Sequence, residues 1–132
     1  MAFVLDKKLE EDSFFVKDLE LSQLRLIDNQ DFLWLILVPK VADVTELIDL
    51  SDAEYDLLNH EIKAISNILK KKYTDSKLNI ATLGNVVSQL HIHIILRFKD
   101  DKLFPAPVWG SEFVNYSDEE CERTLQMLQS VV

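Results

Sequence analysis

Apolar and polar positions along the chain follow two periodicities. From Phe14 to Ile27, the residues Val16, Leu19, Leu21, Leu24 and Leu26 alternate roughly with polar ones, which suits one or two half-buried strands with a turn near Ser22 or Gln23. The turn formers Asp28-Asn29-Gln30-Asp31 then precede a continuous apolar run, Leu33 to Val38, that ends at Pro39 and predicts a buried strand. The period changes at Ser51. Ser51-Asp52-Ala53-Glu54 has the form of a capping box, in which hydroxyl and carboxylate satisfy the first free N–H groups of a helix reciprocally. Tyr55, Leu58, Ile62, Ile65 and Leu69 follow at helical spacing, and Lys70-Lys71-Lys72 suit the negative end of the helix dipole, so a helix is predicted from about Asp52 to Tyr73. Two more strands are predicted at about Leu78 to Leu83 and Leu90 to Phe98, separated by Gly84-Asn85, and a second capping box, Ser117-Asp118-Glu119-Glu120, opens a short final helix. Consecutive strands lack the helical crossovers that parallel pairing requires. The expected fold is α+β, an antiparallel sheet with a long helix packed on one face and a short C-terminal helix.

Composition narrows the function classes. A chain of 132 residues with 48% hydrophobic residues, two glycines and three prolines can build a core, and no repeat or linker divides it, so residues 1–132 are expected to form one domain. The excess of 23 Asp and Glu over 14 Lys and Arg, a net charge of −9, argues against binding a nucleic acid polymer. Cys121 is the one cysteine, so no internal disulfide and no multi-thiolate zinc site can form. The longest apolar run, Phe32 to Val38, is far shorter than the roughly 20 residues that span a bilayer, and charges at Asp6, Lys7 and Lys8 interrupt any secretory segment. A cytoplasmic protein without membrane attachment is expected.

Candidate chemistry concentrates in Gln89-Leu90-His91-Ile92-His93-Ile94-Ile95-Leu96-Arg97, which holds two of the three histidines. Side chains two apart on a strand share a face. Gln89, His91, His93, Ile95 and Arg97 therefore read as a polar rail opposite a core face of Leu90, Ile92, Ile94, Leu96 and Phe98. At about 7 Å along such a strand, two imidazoles can reach two oxygens of one phosphate, and a neutral imidazole is a nucleophile. A pair of half-buried surface histidines is the plain alternative. A zinc site would need further ligands from His60, Cys121 or carboxylates, and His60 falls on the predicted helix as an ordinary solvated residue.

Gly84-Asn85-Val86-Val87-Ser88-Gln89-Leu90-His91-Ile92-His93-Ile94-Ile95 resembles the signature of the histidine triad (HIT) family, and Trp34-Leu35-Ile36-Leu37-Val38-Pro39-Lys40 resembles that family's apolar strand ending in Val-Pro-Lys. The resemblance covers about Ile27 to Trp109. It implies an antiparallel sheet with flanking helices, a homodimer, and cofactor-free nucleotidyl hydrolysis or transfer through a covalent nucleotidyl-histidine. The nucleophile falls on His91, and the histidine that contacts the phosphate and the leaving-group oxygen falls on His93. Asn79 is similar to the family's phosphate-side asparagine, and Asp28 to the polar residue near the ribose. Asn85 and Gln89 would add hydrogen-bond donors for the phosphoryl oxygens.

This sequence departs from the family pattern at three places. Gln89 stands at the first triad position, Trp34 where many relatives have a further histidine, and Val86 where many have a hydroxyl. Gln89 and Trp34 read as one coordinated substitution, because changing both partners of a buried polar pair costs less than changing one. In Phe104-Pro105-Ala106-Pro107-Val108-Trp109-Gly110, either a rigid packing loop is present or Trp109 or Phe104 caps a nucleotide pocket. Arg97, on the histidine face, could meet a distal phosphate or lie solvated at the strand end.

Overall fold

Leu24 and Leu26 pair with Leu37 and Leu35 on the neighbouring strand, and Leu35 and Leu37 pair in turn with Ile94 and Ile92. This apolar register sets the centre of the sheet. In the computed structural model, which describes residues 2–132, the strands are β1 (Ser13–Asp18), β2 (Ser22–Ile27), β3 (Leu33–Pro39), β4 (Lys77–Ala81) and β5 (Ile92–Arg97). Every neighbouring pair is antiparallel, in the order β1-β2-β3-β5-β4. The helices are α1 (Lys7–Glu11), α2 (Asp52–Lys72) and α3 (Asp118–Val131), so the α+β architecture expected from the sequence is the one formed.

The capping box at Ser51 and Glu54 is present in full and starts α2. Its residues Leu58, Ile65 and Leu69 are buried in the main core with Leu24, Leu35, Leu37, Ile92, Ile94 and Leu96 from the sheet. At α3 only half of the expected box forms, with the Ser117 hydroxyl accepting from the Glu120 N–H. The β1–β2 turn lies at Leu19 to Leu21, earlier than the expected Ser22 or Gln23. The buried Glu61 carboxylate on α2 accepts from Leu21 N at 2.8 Å and Ser22 N at 3.1 Å, while Ser22 and Gln23 pair with β3, so a helix side chain fixes a turn in the sheet.

The face that carries the histidines is not a polar rail. Trp34, Ile36 and Val38 of β3 and Ile95 of β5 form a second core there with Leu9, Ile27, Phe32 and Val108. Arg97 belongs to it, only 1% exposed. Its guanidinium binds both oxygens of Asp101 at 2.8 and 3.0 Å, donates to Asn79 Oδ1 at 3.1 Å and to Ala106 O at 2.8 Å, and lies over the rings of Phe32 and Phe104. It therefore meets no distal phosphate, nor is it solvated. Burial opposes the charge on Asp101, but the Arg97 bond and the N–H groups of Phe98, Leu103 and Phe104 outweigh it and hold the carboxyl at a pKa of about 2. This buried pair pins the loop that leads to Val108 and Trp109. Arg97→Ala leaves the Asp101 carboxylate without its countercharge and is expected to lower unfolding stability by about 3–5 kcal/mol, measured by urea denaturation.

Candidate functional site

His91 lies just before β5, at the end of the loop from β4. Its Nδ1 sits 2.7 Å from the backbone carbonyl of Gln89, an acceptor, so Nδ1 carries the hydrogen. In the neutral ring this leaves the lone pair on Nε2. Thr82 Oγ1 donates to the His91 carbonyl at 2.9 Å, and Leu90 N to Val44 O at 3.0 Å, so the backbone on both sides of the histidine is tied down.

His93 has the opposite arrangement. It pairs with Ile36 on one side and Ala81 on the other, on the face that also carries Trp34. Trp34 Nε1, which can only donate, lies 2.9 Å from His93 Nδ1, so Nδ1 is the acceptor and the hydrogen sits on Nε2. Burial, and then the neighbouring His91, lower the His93 pKa from its ordinary 6.5 to about 4. The indole hydrogen bond works in the same direction, because it occupies the lone pair that protonation would need. The two rings meet edge to face with centroids 4.9 Å apart. One imidazole thus offers a lone pair at Nε2 and its neighbour a hydrogen at Nε2.

Both histidines line a cleft of about 770 Å³, a size suited to a small ligand. Trp109 stands at right angles to His93 with centroids 5.4 Å apart, and Phe113 packs on Trp34 at 5.4 Å, so the wall is aromatic. Another part of the wall comes from α1, whose Lys8, Leu9 and Glu11 line the cleft together with Asp12. Three carboxylates, Glu11, Asp12 and Asp28, face the lining, whereas Lys8 is its one cation among the described residues and is paired with Asp12 at 3.0 Å. Among the described residues, no three His, Cys, Asp or Glu side chains gather as a metal site requires.

Of the residues singled out from the sequence, His91, His93, Asp28, Asn85 and Trp109 line this cleft. The Asp28 carboxylate accepts from Asn115 Nδ2 at 2.7 Å and Tyr116 N at 2.9 Å. Asn79 and Gln89 do not line it. The Asn79 side chain accepts from Arg97, and both polar atoms of the Gln89 side chain bind the N-terminal segment. Phe104 lies over Arg97, leaving Trp109 as the aromatic of that loop in the cleft. The α1 wall, Phe113 and Asn115 had no signal among the motifs. A five-residue helix is too short to show a period, although Asp6 does cap it as an N-cap residue should, accepting from Lys8 N and Leu9 N.

Residues 8–100 match the model of the HIT domain. The chain belongs to the histidine triad family. No curated protein matches it. Among solved structures, a histidine triad protein from Bradyrhizobium japonicum is 38% identical with a TM-score of 0.95, covering 100% of this chain and 99% of its own. A histidine triad (HIT) protein from Sinorhizobium meliloti is 36% identical with a TM-score of 0.93, covering 98% and 97%. One from Marinobacter aquaeolei is 32% identical with a TM-score of 0.95, covering 99% and 96%.

Within this HIT protein, the side chains of Gln89 and Trp34 are not partners of one polar pair. Gln89 turns to the N-terminal segment, whereas Trp34 hydrogen-bonds to His93, so Trp34 contributes a polar contact of its own. Val86, 84% exposed on the loop, brings an apolar group to the cleft wall.

Two measurements check this electrostatic picture. Because the folded His93 pKa of about 4 lies below the ordinary 6.5, the unfolded chain takes up the proton first as pH falls. The resulting stabilisation is fully present above about pH 6.5 and is lost between there and about pH 4, by roughly 3 kcal/mol. His93→Gln should remove that component from a pH series of denaturation curves. Trp34→Phe, which frees the Nδ1 lone pair and admits water, should raise the His93 titration midpoint toward 6.5 in NMR spectra of the ring.

Proposed function

We propose that this HIT protein is a nucleotidyl hydrolase acting at the α-phosphate of a nucleotide conjugate, a dinucleoside polyphosphate or a nucleoside phosphoramidate. The observation that carries the reading is the pair of opposed tautomers in one cleft, with the Nδ1–H of His91 on the Gln89 carbonyl and the Nδ1 of His93 on the Trp34 indole. His91 Nε2 attacks phosphorus, the bond to the leaving group breaks, and that group departs with the electron pair and is protonated from solvent. The Nε2–H of His93 donates to a phosphoryl oxygen as charge builds there. Water then attacks phosphorus and gives up a proton to solvent, His91 leaves with its electron pair as the neutral ring, and nucleoside monophosphate is released. Asn85 supplies a further donor, Trp109 a face for the base, and Asp28 an acceptor for ribose hydroxyls. No cofactor enters the scheme. The reading includes the homodimer that family membership implies. It places the protein in the cytoplasm, and no helix among the described residues is long and apolar enough to cross a membrane.

Chromatographic detection of AMP from a dinucleoside polyphosphate and from adenosine phosphoramidate, under chelating conditions, tests the proposal. Wild type should release AMP, and His91→Ala should lose activity by about a thousandfold or more. Full activity in His91→Ala ends the reading. Since His93 stays neutral at physiological pH and carries no second proton to give, cleavage of the phosphoramidate, whose nitrogen must gain one, should rise more steeply toward acid than cleavage of the anhydride.

A binding module without turnover is the second reading. It is favoured by the scarcity of phosphate donors, since the Gln89 and Asn79 amides are engaged elsewhere and Val86 is apolar. AMP binding by calorimetry with no product from either substrate would select it.

A further inference from the structure

Gln89 has three polar groups engaged in two different structures. Its backbone carbonyl accepts from His91 Nδ1 at 2.7 Å. Its side-chain Oε1 accepts from Asp6 N at 2.8 Å, and its Nε2 donates to Val4 O at 2.8 Å. The side-chain amide thus pairs with the Val4–Asp6 backbone as a peptide group of an adjacent strand would, using one donor and one acceptor at once. A carboxylate offers no donor for the Val4 carbonyl.

The segment held this way is anchored at two further points. Phe3 and Leu5 pack against the second core, beside Trp34, Ile95 and Val108. Asp6 caps α1, which forms one wall of the cleft. Gln89 itself precedes β5, so the sheet ladder does not fix its carbonyl. The Leu90 N–H, in the same peptide plane as that carbonyl, donates to Val44 O at 3.0 Å, and the clamp on residues 4–6 holds the plane from the Gln89 side.

We propose that Gln89 is a positioning residue for His91: the clamp between its side chain and Val4–Asp6 fixes the carbonyl that keeps the hydrogen of His91 on Nδ1. The N-terminal segment, remote in sequence, thereby sets which nitrogen of His91 bears the lone pair. Releasing the clamp leaves that plane held by the Leu90–Val44 bond alone, so the carbonyl can tilt and the ring exchange in part into the tautomer with its hydrogen on Nε2, which cannot attack from that atom. The catalytic consequence rests on the hydrolase reading, whereas the tautomer can be measured without any substrate.

Long-range ¹H–¹⁵N spectra of the histidine rings are the deciding experiment, recorded for wild type, Gln89→Ala, the Phe3→Ala/Leu5→Ala pair and the combination of all three changes. The Phe3 and Leu5 changes loosen the segment from its other end and leave Gln89 intact, so the test survives if Gln89→Ala does not fold. Wild type should show His91 hydrogenated on Nδ1. Gln89→Ala and the double variant should each show a mixture of tautomers, and the combination should be no more mixed than either, because all release one clamp. If the protein turns over AMP conjugates, kcat should fall about tenfold or more with KM little changed. A folded Gln89→Ala protein, or a folded double variant should Gln89→Ala not fold, that keeps His91 wholly in the Nδ1–H form overturns the proposal, whatever its activity. If every substrate is silent in wild type while the tautomer shifts as expected, the hydrolase reading fails and the positioning role stands.

Discussion

β5 must bury both of its faces, and one of those faces carries an imidazole. That constraint organises the site. Ile92, Ile94 and Leu96 enter the main core beneath α2, while His93, Ile95 and Arg97 enter a second core. A buried polar group without a partner costs about 1–3 kcal/mol, so both polar side chains of that face need partners within the protein. Arg97 finds Asp101, Asn79 and the Ala106 carbonyl, and His93 finds the Trp34 indole.

Those partnerships determine the chemistry of the cleft. A donor-only indole on His93 Nδ1 places the His93 hydrogen on Nε2, and an acceptor-only carbonyl on His91 Nδ1 places the His91 lone pair on Nε2. The two rings are of one residue type and 4.9 Å apart, yet they present a donor and an acceptor. The buried Arg97–Asp101 pair supports the same arrangement from further out, because it anchors the loop that brings Trp109 against His93.

The electrostatics of the lining are sparse. With three carboxylates, one paired lysine and a His93 that stays neutral at physiological pH, phosphate charge would be met mainly by hydrogen-bond donors instead of cations. Rigid mounting therefore matters more here than net field, since fixed dipoles act only when held in place. The strand, the Thr82 bond to the His91 carbonyl and the pairing of Gln89 with Val4–Asp6 all contribute to that rigidity.

Local signals in the sequence determined the antiparallel α+β fold, the long helix with its capping box at Ser51, and the histidine signature at His91 and His93. Each is set by near neighbours: apolar periodicity, a hydroxyl and carboxylate three residues apart, side chains alternating along a strand. Asp28 was also legible as a position in a family pattern, Asn85 as a donor and Trp109 as an aromatic of the proline-rich loop, and all three line the cleft. Tertiary structure decided what those local signals could not. Alternation told which side chains share a face but not whether that face is covered, and the covering comes from Leu9, Phe32 and Val108, all outside the strands of the sheet. For the same reason Arg97 became a buried anchor, Asn79 its partner, and Gln89 a clamp on residues 4–6. A polar side chain carries the same hydrogen-bonding groups wherever it lies, and only the packing of distant segments decides which partner satisfies them.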